Sequence, residues 1–255
     1  MPVKKNTQLL TGIVFIAAAC ALVAVYGSDP LAVRAAMSAA LIGIFLLFVN
    51  YKDTIPQKVS AATMTSAALT TSKVLLGLKV KGKGIFLPVA GDTCRAKVFV
   101  PLHESTSRVV PALLDEETVF FTEGFSKDFG ALLDAPGTGI VDLYELESET
   151  EFKDTDGEMM CGTIKIAEGL DIATGVDADL EGDLLKITFS HGPYGEMCKM
   201  LRHQRKQLCT QACCPICASL LESFARALGK PVQISEVRRK GAKIFIRAKV
   251  LEWSE

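Results

Sequence analysis

The chain has 255 residues and a formal net charge of -1, from 28 Lys and Arg against 29 Asp and Glu. That length leaves room beyond an anchor for one sizeable domain or two small ones, but the even charge total averages unlike regions. Between His103 and Asp183 stand 21 Asp and Glu against 4 Lys and Arg, and between Lys199 and Lys249 stand 12 Lys and Arg against 2 Glu. The two segments either fold against each other as paired or solvated faces, or the basic one faces anionic lipid or an acidic partner. Nucleic acid is disfavoured, because the basic segment has few aromatics to stack bases and no recognition motif.

Two apolar stretches open the chain. Leu9 to Tyr26 carries no charge, and Leu31 to Val49 follows after a short GSDP break. Each is long enough to cross a bilayer as a helix. The break allows only a tight turn, which predicts a transmembrane helical hairpin with both ends on one side. Lys4 and Lys5 before it, and Lys52 and Lys58 after it, place both termini in the cytoplasm of the cell. Arg34 lies close enough to the outer end of the second span to snorkel. A signal peptide cleaved near Ala17-Ala18-Ala19-Cys20 is the rival reading, disfavoured by the long apolar run and the second span behind it. Ala36 with Ala40, Ala39 with Gly43 and Ala17 with Ala21 are small residues four apart, a spacing that lets helices approach. Neither span holds a carboxylate or histidine, so the hairpin reads as an anchor.

The expected organisation is thus a two-helix transmembrane anchor over 1–52, a juxtamembrane connector over 53–80, and a cytoplasmic α+β domain over 81–255. Gln57 to Leu78 has helical composition, with Val59, Met64, Ala67, Val74 and Leu75 as a loose apolar stripe. Gly84 to Val89 and Lys97 to Leu102 read as a β-hairpin joined through Ala90 to Thr93, with a further strand at Thr118 to Thr122. Ile140 to Leu146 is too short for its pattern to separate helix from strand. Thr163 to Ala167, Val176 to Leu180 and Leu184 to Ser190 alternate as strands do. Pro215 to Leu228 places Ile216, Leu220, Leu221, Phe224 and Leu228 on one helical face, closed by Gly229. Val232 to Val237 and Ala242 to Leu251 form a strand pair with a basic tip at Arg238-Arg239-Lys240. The glycine runs Lys81 to Gly84 and Pro136 to Gly139 lack the lysine and spacing of a P-loop and read as turns.

Of 8 cysteines, Cys198, Cys209, Cys213, Cys214 and Cys217 crowd one short stretch. In a reducing cytoplasm these are not structural disulfides. Cys214-Pro215-Ile216-Cys217 is a CxxC whose second cysteine falls in the first turn of a helix, where the dipole lowers a thiol pKa. With Cys198 and Cys209 upstream and His191 and His203 near, four ligands are available for zinc or an iron–sulfur cluster. A redox dithiol at Cys214 and Cys217, or small buried hydrophobes at a helix start, are the other readings. His103 stands alone as a structural residue.

From about Gly175 to Leu251, two strands, a cysteine-bearing segment, a glycine-bounded helix and a final hairpin resemble the 4-vinyl reductase domain, related in fold to TRAPP small subunits. Gly229, Val232, Ile234, Glu236, Gly241 and Phe245 carry the likeness. The resemblance implies a small α+β domain that encloses a hydrophobic small molecule or acts as a sensor. Family members often carry cysteines in the final hairpin, and this chain has none after Cys217. The CPxC and hairpin also look like uncharacterised archaeal membrane proteins with two N-terminal spans. The resulting expectation is a membrane-anchored ligand-binding or sensor module, with a cysteine-based redox or metal enzyme and a structural subunit of a membrane complex as alternatives. Its expected partners are membrane lipid, a hydrophobic small molecule and a membrane protein. No Ser-His-Asp motif, HExxH or dinucleotide fingerprint supports hydrolysis or NAD chemistry.

Overall fold

The computed structural model describes residues 3–49, 57–89, 94–103, 120–121, 129–153 and 155–253. They fall into two units, Met1–Gln57 and Lys58–Glu255.

In the first unit, α1 (Val3–Tyr26) turns into α2 (Pro30–Val49). Asp29 starts α2 as a cap: its carboxylate accepts the Leu31 N–H at 2.9 Å and its carbonyl accepts that of Val33 at 3.1 Å. Pro30, in the first helical position, has no N–H to satisfy. The helices touch through Gly12 and Ala19 on α1 and Ala36 and Gly43 on α2, all buried. A Cβ on Gly43 would lie 2.9 Å from the Gly12 carbonyl oxygen and 2.7 Å from Ile16 Cγ1, so both backbones depend on glycine here. Ala39 and Ala40 are half-buried beside that contact, whereas Ala17 and Ala21 are exposed, because the inner face of α1 runs through Gly12, Ile16 and Ala19.

Away from the contact the pair is apolar, with Leu10, Val14, Val25, Leu31, Leu41 and Phe45 all more than half exposed. Among the described residues one helical stretch, Leu208–Leu228, is long and apolar enough to cross a membrane, and it is buried inside the second unit. The described apolar stretches of the N-terminal pair, Leu10–Tyr26 and Pro30–Phe45, are shorter. Of the expected transmembrane hairpin, the structure therefore gives a packed helical pair.

The second unit is an α+β fold. It opens with α3 (Gln57–Gly77), which buries Thr65, Ala68, Ser72 and Leu75. The expected stripe holds in part: Leu75 is buried and Met64 packs against the core, whereas Val59, Ala67 and Val74 are exposed and Thr65, Ala68 and Ser72 complete the buried line. Thr65 can be buried because its hydroxyl donates to the Ala61 carbonyl at 2.7 Å.

The strands are β1 (Ile85–Leu87), β2 (Lys97–Pro101), β3 (Phe120–Phe121), β4 (Gly130–Asp134), β5 (Thr174–Glu181), β6 (Leu184–Ser190), β7 (Val232–Lys240) and β8 (Lys243–Val250). They form one antiparallel sheet in the order β3-β4-β2-β1-β7-β8-β6-β5. The expected first hairpin is present, with Phe86 opposite Val98; its connection, 90–93, lies outside the described residues. Of the strand expected at 118–122, Phe120 and Phe121 are described.

At β1 and β2 both sheet faces are covered. Phe86, Val98 and Val100 enter the main core, while Ile85, Leu87, Phe99 and Leu132 form a second cluster that Leu251 and Trp253 join. At β6 and β8 one face is buried and the other open, which produces the strict alternation of those segments.

One segment left open by the sequence is resolved by the structure, and one differs from its sequence reading. Ile140 to Leu146 belongs to α4 (Thr138–Ser148). Thr163 to Ala167, expected as a strand, is divided between α5 (Gly157–Thr163) and α6 (Ile166–Gly169). The Asp156 carboxylate starts α5 by accepting the N–H groups of Glu158 and Met159. Met160, Ile164 and Ala167 are then fully buried at spacings of four and three, so helical periodicity outweighs an alternation only five residues long.

The chain then continues through α7 (Gly195–Gln204) and α8 (Leu208–Gln211) to α9 (Pro215–Leu228). Helix α9 is buried nearly all round, as a central core helix must be. It packs on β1 and β7 and against α4 and α5. The start of α4 fits because residue 137 is glycine: a Cβ there would lie 2.2 Å from the Ser219 backbone nitrogen.

The acidic and basic segments meet in this unit. Arg226 pairs with Asp142, Glu145 and Glu222 at 2.8–2.9 Å. On the open sheet face Lys186 pairs with Glu181 at 2.6 Å and Asp179 at 3.6 Å, and Lys249 with Asp183 at 3.3 Å.

Candidate metal centre

The centre begins with the strand periodicity of β6. Leu185, Ile187 and Phe189 point into the core, and His191 is the next inward position. Its ring tilts against Phe189 with centroids 5.0 Å apart, and only 2% of the residue is exposed. Gly192, at φ +47°, starts a short 3-10 turn, Gly192–Tyr194, that leads into α7 with Cys198 on its buried side.

The other side of the centre is the start of α9. Cys213 adopts a left-handed φ of 62°, and Cys214 follows in extended conformation as the cap residue, with Pro215 opening the helix. One helical turn then brings Cys217 back beside Cys214. His191 Nε2 stands 3.4 Å from Cys214 Sγ and 3.9 Å from Cys217 Sγ. The ligating atoms of His191, Cys214 and Cys217 all lie within 4.8 Å of one another, a buried group that could hold a metal ion. Tetrahedral zinc, with bonds of about 2.3 Å to sulfur and about 2.0 Å to nitrogen, sets sulfur–nitrogen edges of about 3.5 Å. The donor set and spacing therefore fit one such ion.

The electrostatics single out the same three residues. A hydrogen bond from the Cys217 thiol, helped by His191 and the Cys217 backbone N–H, holds Cys214 well below the ordinary thiol range against the opposing effect of burial. Cys217, which keeps the shared proton, is raised well above that range, first by this hydrogen bond and then by burial. Burial alone would lower His191, but hydrogen bonds with Cys198 and Cys214, and the charges of those thiols, lift it to about 9. His191 Nδ1 is buried with no hydrogen-bond partner among the described residues.

The remaining expected ligands divide. Cys198 is buried on α7 and stands outside the three-atom group. Cys213 is turned away, its thiol donating to the Cys209 carbonyl at 3.0 Å, and burial raises it well above the usual thiol value. Cys209 is half-buried and pushed up to about 12, mainly by burial, so it behaves as a neutral thiol. His203 and His103 are exposed; neither belongs to the centre, and His103 has no core role. The run of alternate inward residues Leu185, Ile187, Phe189 and His191 was the sequence signal that selects His191 over His203.

A family model described as Domain of unknown function (DUF7982) matches residues 3–249. The chain belongs to this family. The DUF7982 match includes both the helical pair and the whole candidate centre, so the family is defined across the two units together. No curated protein and no solved structure matches the chain.

Proposed function

We propose that this DUF7982 protein is a membrane-anchored cytoplasmic binding or sensor module whose domain is stabilised by one metal ion at His191, Cys214 and Cys217. The observation that carries the reading is the convergence of one imidazole and two thiols, each no more than 5% exposed, at the start of the central helix. Burial of all three donors keeps the centre away from bulk solvent, which suits structure or sensing. A single zinc-class ion suits the short spacing of the donors better than an iron–sulfur cluster.

The anchor is supported by the exposed apolar surface of α1 and α2, which lipid would cover. The lysines flanking the pair favour termini in the cytoplasm, and the free cysteines of the centre suit that reducing compartment. The likeness of 175–251 to the 4-vinyl reductase domain supplies a hydrophobic small molecule as the ligand class to test.

The test is metal analysis of the full-length protein purified without oxygen from membranes. One zinc per chain, released together with protein stability on chelation, is the expected result. Metal-free protein after growth in zinc would overturn the reading. It would favour a redox dithiol instead, for which the opposite shifts of Cys214 and Cys217 are the supporting observation.

A further inference from the structure

We infer that the open face of the sheet, at the hairpin of β7 and β8, binds the headgroups of anionic phospholipid. The inference rests on the anchored reading above, which brings lipid within reach, and adds to it a lipid-binding surface on the folded α+β unit. Strand register builds that surface. Alternate residues of β8, Lys243, Phe245, Arg247 and Lys249, are exposed, while Ile244, Ile246 and Ala248 enter the core. Residues directly opposite on an antiparallel pair share a face, so β7 adds Lys240 beside Lys243, Arg238 beside Phe245 and Glu236 beside Arg247. On the other side β6 adds Ser190, Thr188 and Lys186 in the same order, with Asp177 and Asp179 of β5 behind the last two.

The charges sort along this face. Lys186 is held by Glu181 and Asp179, Lys249 by Asp183, and Glu236 by Arg238 and Arg247. Lys240 and Lys243 stand directly opposite each other, with no ion pair among the described residues. Like charges in that position repel and destabilise a sheet. Lys243 does not guard a sheet edge either, because β8 is paired with β6 and β7 along its length. Gly241, at φ +62°, closes the hairpin and gathers Arg238, Arg239, Lys240 and Lys243 at one end of the sheet. An anion laid on that end relieves the repulsion.

Phe245, 37% exposed, lies among these cations with Arg238 on one side and Thr188 on the other. Charge alone would suit an acidic polypeptide equally. The exposed ring favours lipid, because an aromatic side chain settles at the headgroup level of a bilayer while lysine and arginine beside it meet the anionic groups. An anchor that keeps the chain at a bilayer favours the same occupant.

The experiment uses the full-length protein held in nanodiscs of phosphatidylcholine. These are mixed with vesicles of phosphatidylcholine alone, or of equal parts phosphatidylcholine and phosphatidylserine, and binding is read by co-sedimentation. Binding to the phosphatidylserine vesicles only, weakening as salt is raised, is the expected result. Lys240→Gln and Lys243→Gln should each weaken it by about fivefold, the effect of one cation near an anionic surface. Both positions are exposed, so neither change disturbs the core. Lys165→Gln, at an exposed lysine beside α6 in the helical layer, should leave binding unchanged. Equal binding to both vesicles, binding to neither, or lysine variants that bind as wild type does would overturn the inference. So would discs that pair with one another through the same lysines, or that bind polyglutamate and not phosphatidylserine, outcomes that assign the face to a second copy or to an acidic partner. The anchor is read separately, from retention in the disc. A chain that leaves the disc yet binds phosphatidylserine vesicles would overturn the anchored reading and keep the lipid-binding face.

Discussion

Glu222 offers the sharpest quantitative test of the packing around α9. Its carboxylate is fully buried, bonded by Arg226 at 2.9 Å and by the Thr138 hydroxyl at 3.2 Å. Burial raises its pKa from the ordinary 4.5 to about 7, with Arg226 and Thr138 opposing the rise and Asp142 adding to it. Between those two values the folded protein keeps a proton that the unfolded chain has lost. The stabilisation linked to that proton is complete below about pH 4.5 and disappears as the pH rises through about 7. At about 1.4 kcal/mol per unit, the change across the window is about 3 kcal/mol.

Glu222→Gln resembles the protonated side chain at every pH. Its stability relative to wild type should therefore rise by about 3 kcal/mol from pH 4.5 to pH 7.5. The assay is urea unfolding of the full-length protein in detergent, followed by the fluorescence of the single tryptophan. Trp253 is a suitable reporter because its indole N–H donates to the Gly229 carbonyl at the end of α9, at 2.9 Å. A stability difference that stays flat over this pH range, or grows toward acid, would refute the argument.

Three other perturbations address the centre and its supports. Cys214→Ser and Cys217→Ser should each lose bound zinc while Cys213→Ala retains it, and retention by either serine variant would exclude that thiol as a ligand. Arg226→Met leaves Asp142, Glu145 and Glu222 without their cation and should cost about 3–5 kcal/mol in the same unfolding assay, as breaking a buried ion pair does; a loss under about 1 kcal/mol would mean that water already screens the cluster. Gly137→Ala forces a methyl group against the Ser219 backbone and should destabilise by about 1–3 kcal/mol, so an unchanged thermal midpoint would contradict the close approach of α4 to α9.

Much of the framework was legible because it follows local rules. The strand alternation of β6 and β8, the glycine after α9 and the turn between the first two helices each express a constraint within a few residues. Thr163 to Ala167 was misread because five residues contain both a strand and a helix pattern, and the Asp156 cap together with the Met160 and Ile164 contacts selects the helix. The stripe of α3 was read only in part, with Met64 and Leu75 right, because an apolar scan ignores hydroxyls that bond their own helix, as Thr65 does.

For the centre, the sequence by itself determined that thiols crowd before and within the first turn of a helix, and that Cys214 and Cys217 share one face of it. The tertiary structure decided which thiols converge. Cys213, adjacent to Cys214 in sequence, is turned away by one left-handed backbone angle. His191, twenty-three residues before Cys214, arrives within 3.4 Å. Sequence spacing governs neighbours on one helix, whereas the meeting of a strand end with a helix start depends on the packing of the whole core between them.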